Sequence, residues 1–267
     1  MQNPLGKSKP YSDTFDPSVL FPIARAQARA QIGVREPLPF QGLDRWTCFE
    51  LSWLSADGIP QVGIATIEYP ATSPSLVESK SLKLFLGSLN FARYGSAVDV
   101  VRAIRPELQR LIGCEDVSVT IHGPEEWHRV GITAPPGRCV DSEPVEADDP
   151  GRLRRGSDVV EETVHSNLVR TLCPVTGQPD WGTVVIAYRG SQLEHGSLVS
   201  YLRAHRSHQG FHEEFCELIF SDLMAALAPT SLWVGCFYTR RGGIDINPER
   251  WLAGTPRLSI GGRLARQ

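Results

Sequence analysis

The sequence predicts an α+β fold in which antiparallel strands and paired helices are laid down twice. Three observations carry this expectation. Strand-like segments come first in each half and helix-like segments follow, the order of α+β chains rather than of alternating parallel sheets. The two halves also resemble each other. At an offset of 119 residues, GIPQVGIATIEY (58–69) lies over GQPDWGTVVIAY (177–188), with Gly58/Gly177, Pro60/Pro179, Gly63/Gly182, Ile67/Ile186 and Tyr69/Tyr188 identical. After a three-residue shift, Ser75-Leu76-Val77 matches Ser197-Leu198-Val199. Finally, no G-x-G-x-x-G follows a strand, so a doubly wound dinucleotide-binding fold is not expected.

Each element follows from local pattern. The first 40 residues hold Pro4, Pro10, Pro17, Pro22, Pro37 and Pro39 with weak periodicity and read as an extended arm. Residues 46–54 and 61–69 read as strands around the turn Ala56-Asp57-Gly58. A helix is expected over 76–91. Ala97, Val101, Ile104, Leu108 and Leu111 then recur at the spacing of one helix face, although Pro106 opposes it. Residues 117–121 alternate as a strand. Residues 140–156 carry Asp141, Glu143, Glu146, Asp148 and Asp149 with Pro144 and Pro150, and read as a solvated connector. In the second half, 183–188 reads as a strand and 197–205 as a helix. Phe211, Phe215, Leu218 and Ile219 keep helical spacing, and 232–238 is rich in β-formers. The expected organisation is an arm (1–40), a first module (41–139), a connector (140–163) and a second module (164–267).

Composition narrows the function. A hydrophobic fraction of 41% supports a core, and 27 Lys plus Arg against 30 Asp plus Glu give a net charge of −3. Such a chain has no global field to hold a polynucleotide, so a nucleic-acid role would need a local patch. Lys7, Lys9, Asp13 and Asp16 interrupt any apolar leader, and the longest uncharged stretch (223–239) contains Pro229 and is too short to span a bilayer. A cytoplasmic protein with no membrane partner is expected. No two of the six cysteines lie within four residues of each other, which excludes CxxC spacing. Cys48, Cys216 and Cys236 sit in apolar periodic segments and read as small hydrophobes, whereas Cys173 stands in an accessible Pro/Gly turn.

That turn, Leu172-Cys173-Pro174-Val175-Thr176-Gly177-Gln178-Pro179-Asp180-Trp181-Gly182, is the informative run. An exposed thiol whose thiolate is stabilised is a good nucleophile. Asp180 lies seven residues on, across a turn that can bring its carboxylate near the sulfur. A carboxylate alone would raise the thiol pKa, so a cation or helix terminus must offset it; if desolvated, Asp180 can stay protonated and act as a general acid. The competing reading is a hairpin with a structural cysteine and a turn acid. In the 119-residue alignment Cys173 falls on Leu54 and Asp180 on Gln61, so the first half has the scaffold without the chemistry.

Three further runs have a functional and a bland reading each. Glu78, in the apolar company of Leu76 and Val77, calls for a partner; otherwise 77–85 is a solvated helix face. Phe211-His212-Glu213 opens a helical segment, where a carboxylate can accept two parallel N–H bonds from a guanine-like base, or simply enrich a first turn in acid. Arg240-Arg241-Gly242-Gly243 is a phosphate-binding loop or an exposed basic turn. Two motifs are set aside. His208 and His212 have zinc-pair spacing, but Gln209 replaces the metalloprotease glutamate and Gly210 weakens the helix, so no metal is expected. Gly6-Lys7-Ser8 lacks the upstream P-loop glycine, its place being taken by Met1.

Taken together, the Glu-Ser-Lys-Ser-Leu-Lys-Leu-Phe run, Cys-Pro-Val-Thr-Gly-Gln-Pro-Asp-Trp-Gly, Phe-His-Glu, Tyr-Thr-Arg-Arg-Gly-Gly-Ile-Asp-Ile-Asn-Pro and Tyr11-Ser12-Asp13-Thr14-Phe15 resemble one family: the NADPH-dependent 7-cyano-7-deazaguanine reductases of queuosine biosynthesis, in their long two-module form. The resemblance implies a tandem tunnelling fold (T-fold) and a homodimer. It implies reduction of a nitrile to an aminomethyl group with two NADPH, no metal and no direct contact with nucleic acid. Cys173 would be the nucleophile that forms a covalent thioimide, and Asp180 the proton donor. Val77, Glu78, Ser79, His212 and Glu213 would bind the 7-deazaguanine substrate; Ser79, Lys80, Arg241 and Gly242 would bind NADPH. The rival expectations are a T-fold hydrolase resembling GTP cyclohydrolase, which would need zinc, and a non-catalytic purine-binding module.

Overall fold

A computed structural model describes residues 14–129, 131–145 and 151–267. Gly6-Lys7-Ser8, Tyr11-Ser12-Asp13 and, in the connector, Glu146, Asp148, Asp149 and Pro150 lie outside the described residues. After a 3₁₀ turn at Pro17–Val19 come β1 (Pro22–Ala24) and α1 (Arg25–Gln31). Next are β2 (Gln41–Leu54), β3 (Pro60–Pro70), β4 (Ser75–Val77), α2 (Ser79–Gly87), α3 (Ala97–Ile112) and β5 (Ser118–His122). Two short strands follow, β6 (Ile132–Thr133) and β7 (Arg138–Cys139), and then the long hairpin of β8 (Arg155–Leu172) and β9 (Pro179–Leu193). The chain ends with α4 (His195–Ala204), α5 (His212–Leu227), β10 (Ser231–Tyr238), β11 (Ile244–Trp251) and β12 (Arg263–Leu264).

The expectation of antiparallel strands with paired helices therefore holds, but three local readings change. The arm over 1–40 contains β1 and α1. Residues 155–163 are strand rather than connector: Val159, Val160 and Thr163 suit a strand and pair with Ser191, Gly190 and Ala187, so the ladder outweighs the local run of charge. The helix expected over 76–91 begins only at Ser79, because Leu76 and Val77 pair with Ile23 and Pro22 of β1 instead.

The described residues form two compact units. The first holds residues 14–27, 44–129 and 240–246; the second holds 28–43, 131–145, 151–239 and 247–267. In the first, β5, β3 and β2 lie side by side, with β3 and β5 antiparallel from Glu68↔Ser118 to Ile64↔His122. Trp46, Leu51, Trp53, Ile67, Tyr69, Leu82 and Phe85 pack there against α3. That helix buries Val100, Ile104, Leu108 and Ile112, a four-residue stripe flanked by the expected Ala97, Val101 and Leu111. Pro106 sits on its exposed side, so one backbone bond is lost without disturbing the buried stripe.

In the second unit the order is β7-β8-β9-β10-β11, antiparallel except for β7 against β8. Helix α5 lies on β10. On the sheet, Val185, Trp233 and Phe237 form a cluster with Leu264, Leu258 and Ile260 of the C-terminal segment. Glu217, in the middle of α5, is 2% exposed and accepts bonds from Arg29 (2.9 and 2.8 Å) and from Arg250 (3.1 and 2.9 Å). Both guanidinium groups also face the Phe40 ring, at 5.7 and 5.5 Å.

The internal repeat is structural as well as textual. Leu54 accepts from Tyr94 N–H and donates to Ala92 C=O (both 2.9 Å); Leu172 likewise accepts from Gly210 N–H (3.2 Å) and donates to His208 C=O (2.8 Å). Past this crossing, Ser55 N–H bonds Ile59 C=O at 2.8 Å, and Cys173 N–H bonds Gln178 C=O at 2.9 Å. Leu54 therefore corresponds to Leu172, and the counterpart of Cys173 is Ser55 rather than Leu54, because the second turn is one residue longer. The Gln61/Asp180 match stands. The Ser75–Val77 match does not, since one segment is β4 and the other lies inside α4. The helix starts correspond instead: Glu78 and Glu194 are the N-cap residues of α2 and α4.

Removing the shared carboxylate with Glu217→Ala leaves two buried guanidinium groups without their counter-charge, which costs roughly 3–5 kcal/mol. Urea unfolding of the variant is expected to show a loss of this size; a loss under about 1 kcal/mol would show that the cluster is replaceable.

Candidate functional site

In the second unit, the end of the β8–β9 hairpin gathers four of the expected site residues near the start of α5. Thr171 and Asp180 are register partners across β8 and β9, and Cys173 is the first residue past the end of β8. The turn closes through Cys173 N–H to Gln178 C=O and Gly177 N–H to Cys173 C=O (3.0 Å), with Gly177 at φ +66°, where a side chain would be strained. The crossing of Leu172 with His208 and Gly210 then delivers the first turn of α5 to the hairpin end. There His212 Nε2 lies 3.3 Å from Asp180 Oδ2. Asp180 is 5% exposed and Glu213 2%, while Cys173 is half-buried. Cys48, Cys216 and Cys236 are buried, as their apolar settings predicted. Burial, with the Asp245 charge, pushes the Cys48 thiol far up, away from the reactive thiolate.

The first unit positions the others. Val77 ends β4 and is fully buried, and Glu78 N–H bonds Phe21 C=O at 2.9 Å. The partner that Glu78 calls for is its own helix: its two oxygens accept from Lys80 N–H (2.9 Å) and Ser81 N–H (2.7 Å), capping α2. Ser79 and Lys80 open that helix. Arg241 flanks and Gly242 opens the two-residue hairpin loop Gly242-Gly243, closed by Arg241 N–H to Ile244 C=O (2.9 Å) and Ile244 N–H to Arg241 C=O (3.2 Å). Gly242 and Gly243 both have positive φ, +58° and +80°, as a type I′ loop demands. The ion pair of Glu50 with Lys83 (3.1 Å) lies flat on these glycines. A Cβ on Gly243 would collide with the Glu50 carboxyl group, and one on Gly242 would come within 3.2 Å of Lys83 Nζ. Beside them is a hollow of about 300 Å³ lined by Lys83, Asn90, Gly242 and Gly243 among others. The Glu50 carboxylate and the Lys83 ammonium therefore cover the glycine loop at the edge of this hollow.

Tyr238 was not singled out by the sequence as a site residue. Its ring stacks on His212 at 3.7 Å between centroids and 6° between planes, which fixes the imidazole that meets Asp180. Burial foremost, with Cys236, Cys216 and Asp180 acting the same way, raises the phenol well above its ordinary pKa, so it stays neutral. Only its place in a strand directly before the Thr-Arg-Arg-Gly-Gly loop hinted at a role. His208 turns away from His212: its Nε2 lies 3.5 Å from Glu214. Among the described residues no three His, Cys, Asp or Glu side chains group as metal ligands.

Comparison with known proteins gives a consistent picture. Residues 11–121 match the family model described as "Nitrile reductase, 7-cyano-7-deazaguanine-reductase N-term", and residues 179–253 match "QueF-like protein". Proteins named NADPH-dependent 7-cyano-7-deazaguanine reductase are similar over almost the whole chain. The one from Desulfotalea psychrophila is 46% identical over 270 residues, covering 99% of this chain and 97% of its own. That from Paraburkholderia phymatum is 46% identical, covering 93% of each, and that from Burkholderia thailandensis 45%, covering 99% and 98%.

The stack makes Tyr238 testable on its own. Tyr238→Leu loses the ring contact with His212 and is expected to destabilise by about 2 kcal/mol or more. Tyr238→Phe keeps the ring and removes only the hydroxyl, whose neighbour is the Thr171 side chain, so a cost of about 1 kcal/mol or less is expected. Chemical denaturation of the two variants checks the ordering; equal losses would contradict it.

Proposed function

This chain belongs to the family of NADPH-dependent 7-cyano-7-deazaguanine reductases, and we propose that it reduces the nitrile of 7-cyano-7-deazaguanine to the aminomethyl group through a covalent thioimide on Cys173. The observation that carries this reading is the hairpin end, where the half-buried Cys173 opens the turn that leads to the buried Asp180 carboxylate, which lies 3.3 Å from His212. The Cys173 sulfur adds to the nitrile carbon, a carbon–sulfur bond forms, and one π pair moves to nitrogen. Asp180, as the carboxylic acid, gives nitrogen its proton where negative charge develops. The imidazole of His212, 3.3 Å away, holds the orientation of this buried side chain. Glu213, buried at the start of α5, accepts the N–H edge of the deazaguanine, and in the first unit Val77, Glu78 and Ser79 are substrate-binding residues.

NADPH supplies hydride, two electrons per molecule, so the four-electron step from nitrile to amine consumes two NADPH and two protons and returns two NADP⁺. Ser79, Lys80, Arg241 and Gly242 hold its phosphates. Covalent capture retains the substrate for the first hydride; the carbon–sulfur bond then breaks, returning the Cys173 thiolate and leaving an imine that the second hydride and a proton convert to the amine. The reading extends to two tandem T-fold modules, supported by the repeated crossing and turn closure, and to a homodimer. Exposed Ile59 and Val62 in the first unit and Val159 on β8 offer apolar surface for such contacts. A place in queuosine synthesis and a cytoplasmic location belong to the same proposal. No described helix is long and apolar enough to cross a membrane.

Mixing the protein with NADPH and the nitrile should consume two NADPH per nitrile, followed by nicotinamide absorbance. Cys173→Ala should abolish consumption, and Asp180→Asn should slow it by roughly 10²–10⁴-fold. Turnover by Cys173→Ala would remove the covalent route. Binding without any consumption by the unaltered protein would favour a purine-binding module, and zinc-dependent ring hydrolysis the cyclohydrolase reading.

A further inference from the structure

We propose that the surface of the second unit around Trp181 is a binding site for the phosphoryl anion of a nucleotide, gripped by Arg170, Arg206 and Arg266. The guanidinium carbons of these residues lie 5.6, 5.4 and 5.6 Å from the centroid of the one indole. They reach it from separate parts of the chain. Arg170 is the register partner of Trp181 across β8 and β9, Arg206 belongs to the 3₁₀ turn His205–Ser207, and Arg266 is the penultimate residue.

Three like charges around one ring repel. No two can be farther apart than twice their distance to the shared centroid, a separation comparable to the Debye length of about 8–10 Å near physiological salt. Stacking on an indole returns only about 0.5–1 kcal/mol per exposed cation. Arg170 donates to Arg206 C=O and Arg266 to Asn167 C=O, which holds both groups in place but brings no negative charge. A guanidinium has five N–H donors, so most of them stay available. Among the described residues no carboxylate pairs with any of the three. Other arginines of the unit are treated differently: Arg29 and Arg250 share Glu217, Arg154 meets Glu194 and Arg257 meets Glu249. In a chain of net charge −3, this is a concentrated cationic patch with no carboxylate partner among the described residues. Guanidinium forks match phosphate geometry and hold it bidentately, which neutralises the repulsion that the protein itself leaves standing. Trp181 also follows Asp180 directly in β9, so the patch lies on the opposite face of the strand from the proton donor.

The anion has two possible sources: the dinucleotide, an assignment that rests on the reductase reading, or a separate nucleotide that binds in its own right. Titration of the full-length protein with inorganic pyrophosphate at low salt, followed by calorimetry, tests the site itself. Saturable binding is expected, weakened at least tenfold in the Arg206→Gln/Arg266→Gln double variant. Absence of binding to the unaltered protein, or equal affinity in the variant, overturns the proposal. Circular dichroism monitors folding of the double variant; should it not fold, Arg206→Lys keeps the charge, loses the fork and is expected to bind more weakly, and unchanged affinity there overturns the proposal equally. The source is read by titrating NADPH. Competition with pyrophosphate and a parallel loss in the variants assign the patch to the dinucleotide, whereas an unchanged NADPH affinity beside weakened pyrophosphate assigns it to a separate nucleotide. Failure of the reductase reading would show differently, as no nitrile-dependent oxidation of NADPH, and leaves the pyrophosphate result intact.

Discussion

A single carboxylate, Glu217, sets the frame of the second unit. Buried in the middle of α5, it holds Arg29 from the N-terminal segment and Arg250 from β11, and the two cations close over Phe40. Burying three charged groups is expensive unless each finds its partner, so this arrangement admits few alternatives. It matters for chemistry because the same helix carries His212 and Glu213 at its other end. A helix fixed at its middle cannot slide, and His212 meets Asp180 only if α5 holds its register along β10. The stack of Tyr238, from the end of β10, fixes the remaining freedom, the plane of the imidazole.

The two units share one local arrangement with different side chains. Both close a turn just past a strand end, and both cross that strand end with the segment between their helices. The thiol position of the second unit is a serine in the first, and the acid position is a glutamine. Ser55 Oγ accepts from Ile59 N–H at 3.1 Å, and the Gln61 amide donates to the Ile59 and Pro60 carbonyls, so both side chains serve the turn itself. In the second unit the extra residue of the turn leaves Cys173 in the place of that serine. The helix starts diverge in the opposite sense. Glu78 caps α2 with both oxygens, whereas Glu194 makes no side-chain cap on α4 and pairs with Arg154. The two helix starts therefore use the same residue type differently, as a cap in one unit and as an ion-pair partner in the other.

Much of this was legible in the chain because short-range periodicity reports burial directly. The strands of the first hairpin, β9, β10 and the inert cysteines followed from spacing alone, while the α3 stripe was legible only in part, with Ile104 and Leu108 buried as expected and Val100 and Ile112 not named. The errors have a common cause. Residues 155–163 looked like a connector because their charges are local, while the partner strand that satisfies their backbone is some thirty residues away. Residues 76–77 looked helical because their pattern continues into α2, yet a three-residue partner near the N-terminus claims them. The Leu54 alignment failed by one residue because a turn can gain a residue without any trace in the flanking identities.

The sequence by itself determined which groups are available: one cysteine in a Pro/Gly turn, an acid seven residues on, a His-Glu pair at a helix start and a glycine loop behind two arginines. These are properties of residue type and near spacing, which local sterics and hydrogen bonding decide. Only the tertiary structure decided which of them meet. The contact of Asp180 with His212, the ring of Tyr238 over that histidine, the capping of α2 by Glu78 and the gathering of three distant arginines on Trp181 depend on strand register and helix docking. Those are fixed by the burial of the whole core, and no local run of residues records it.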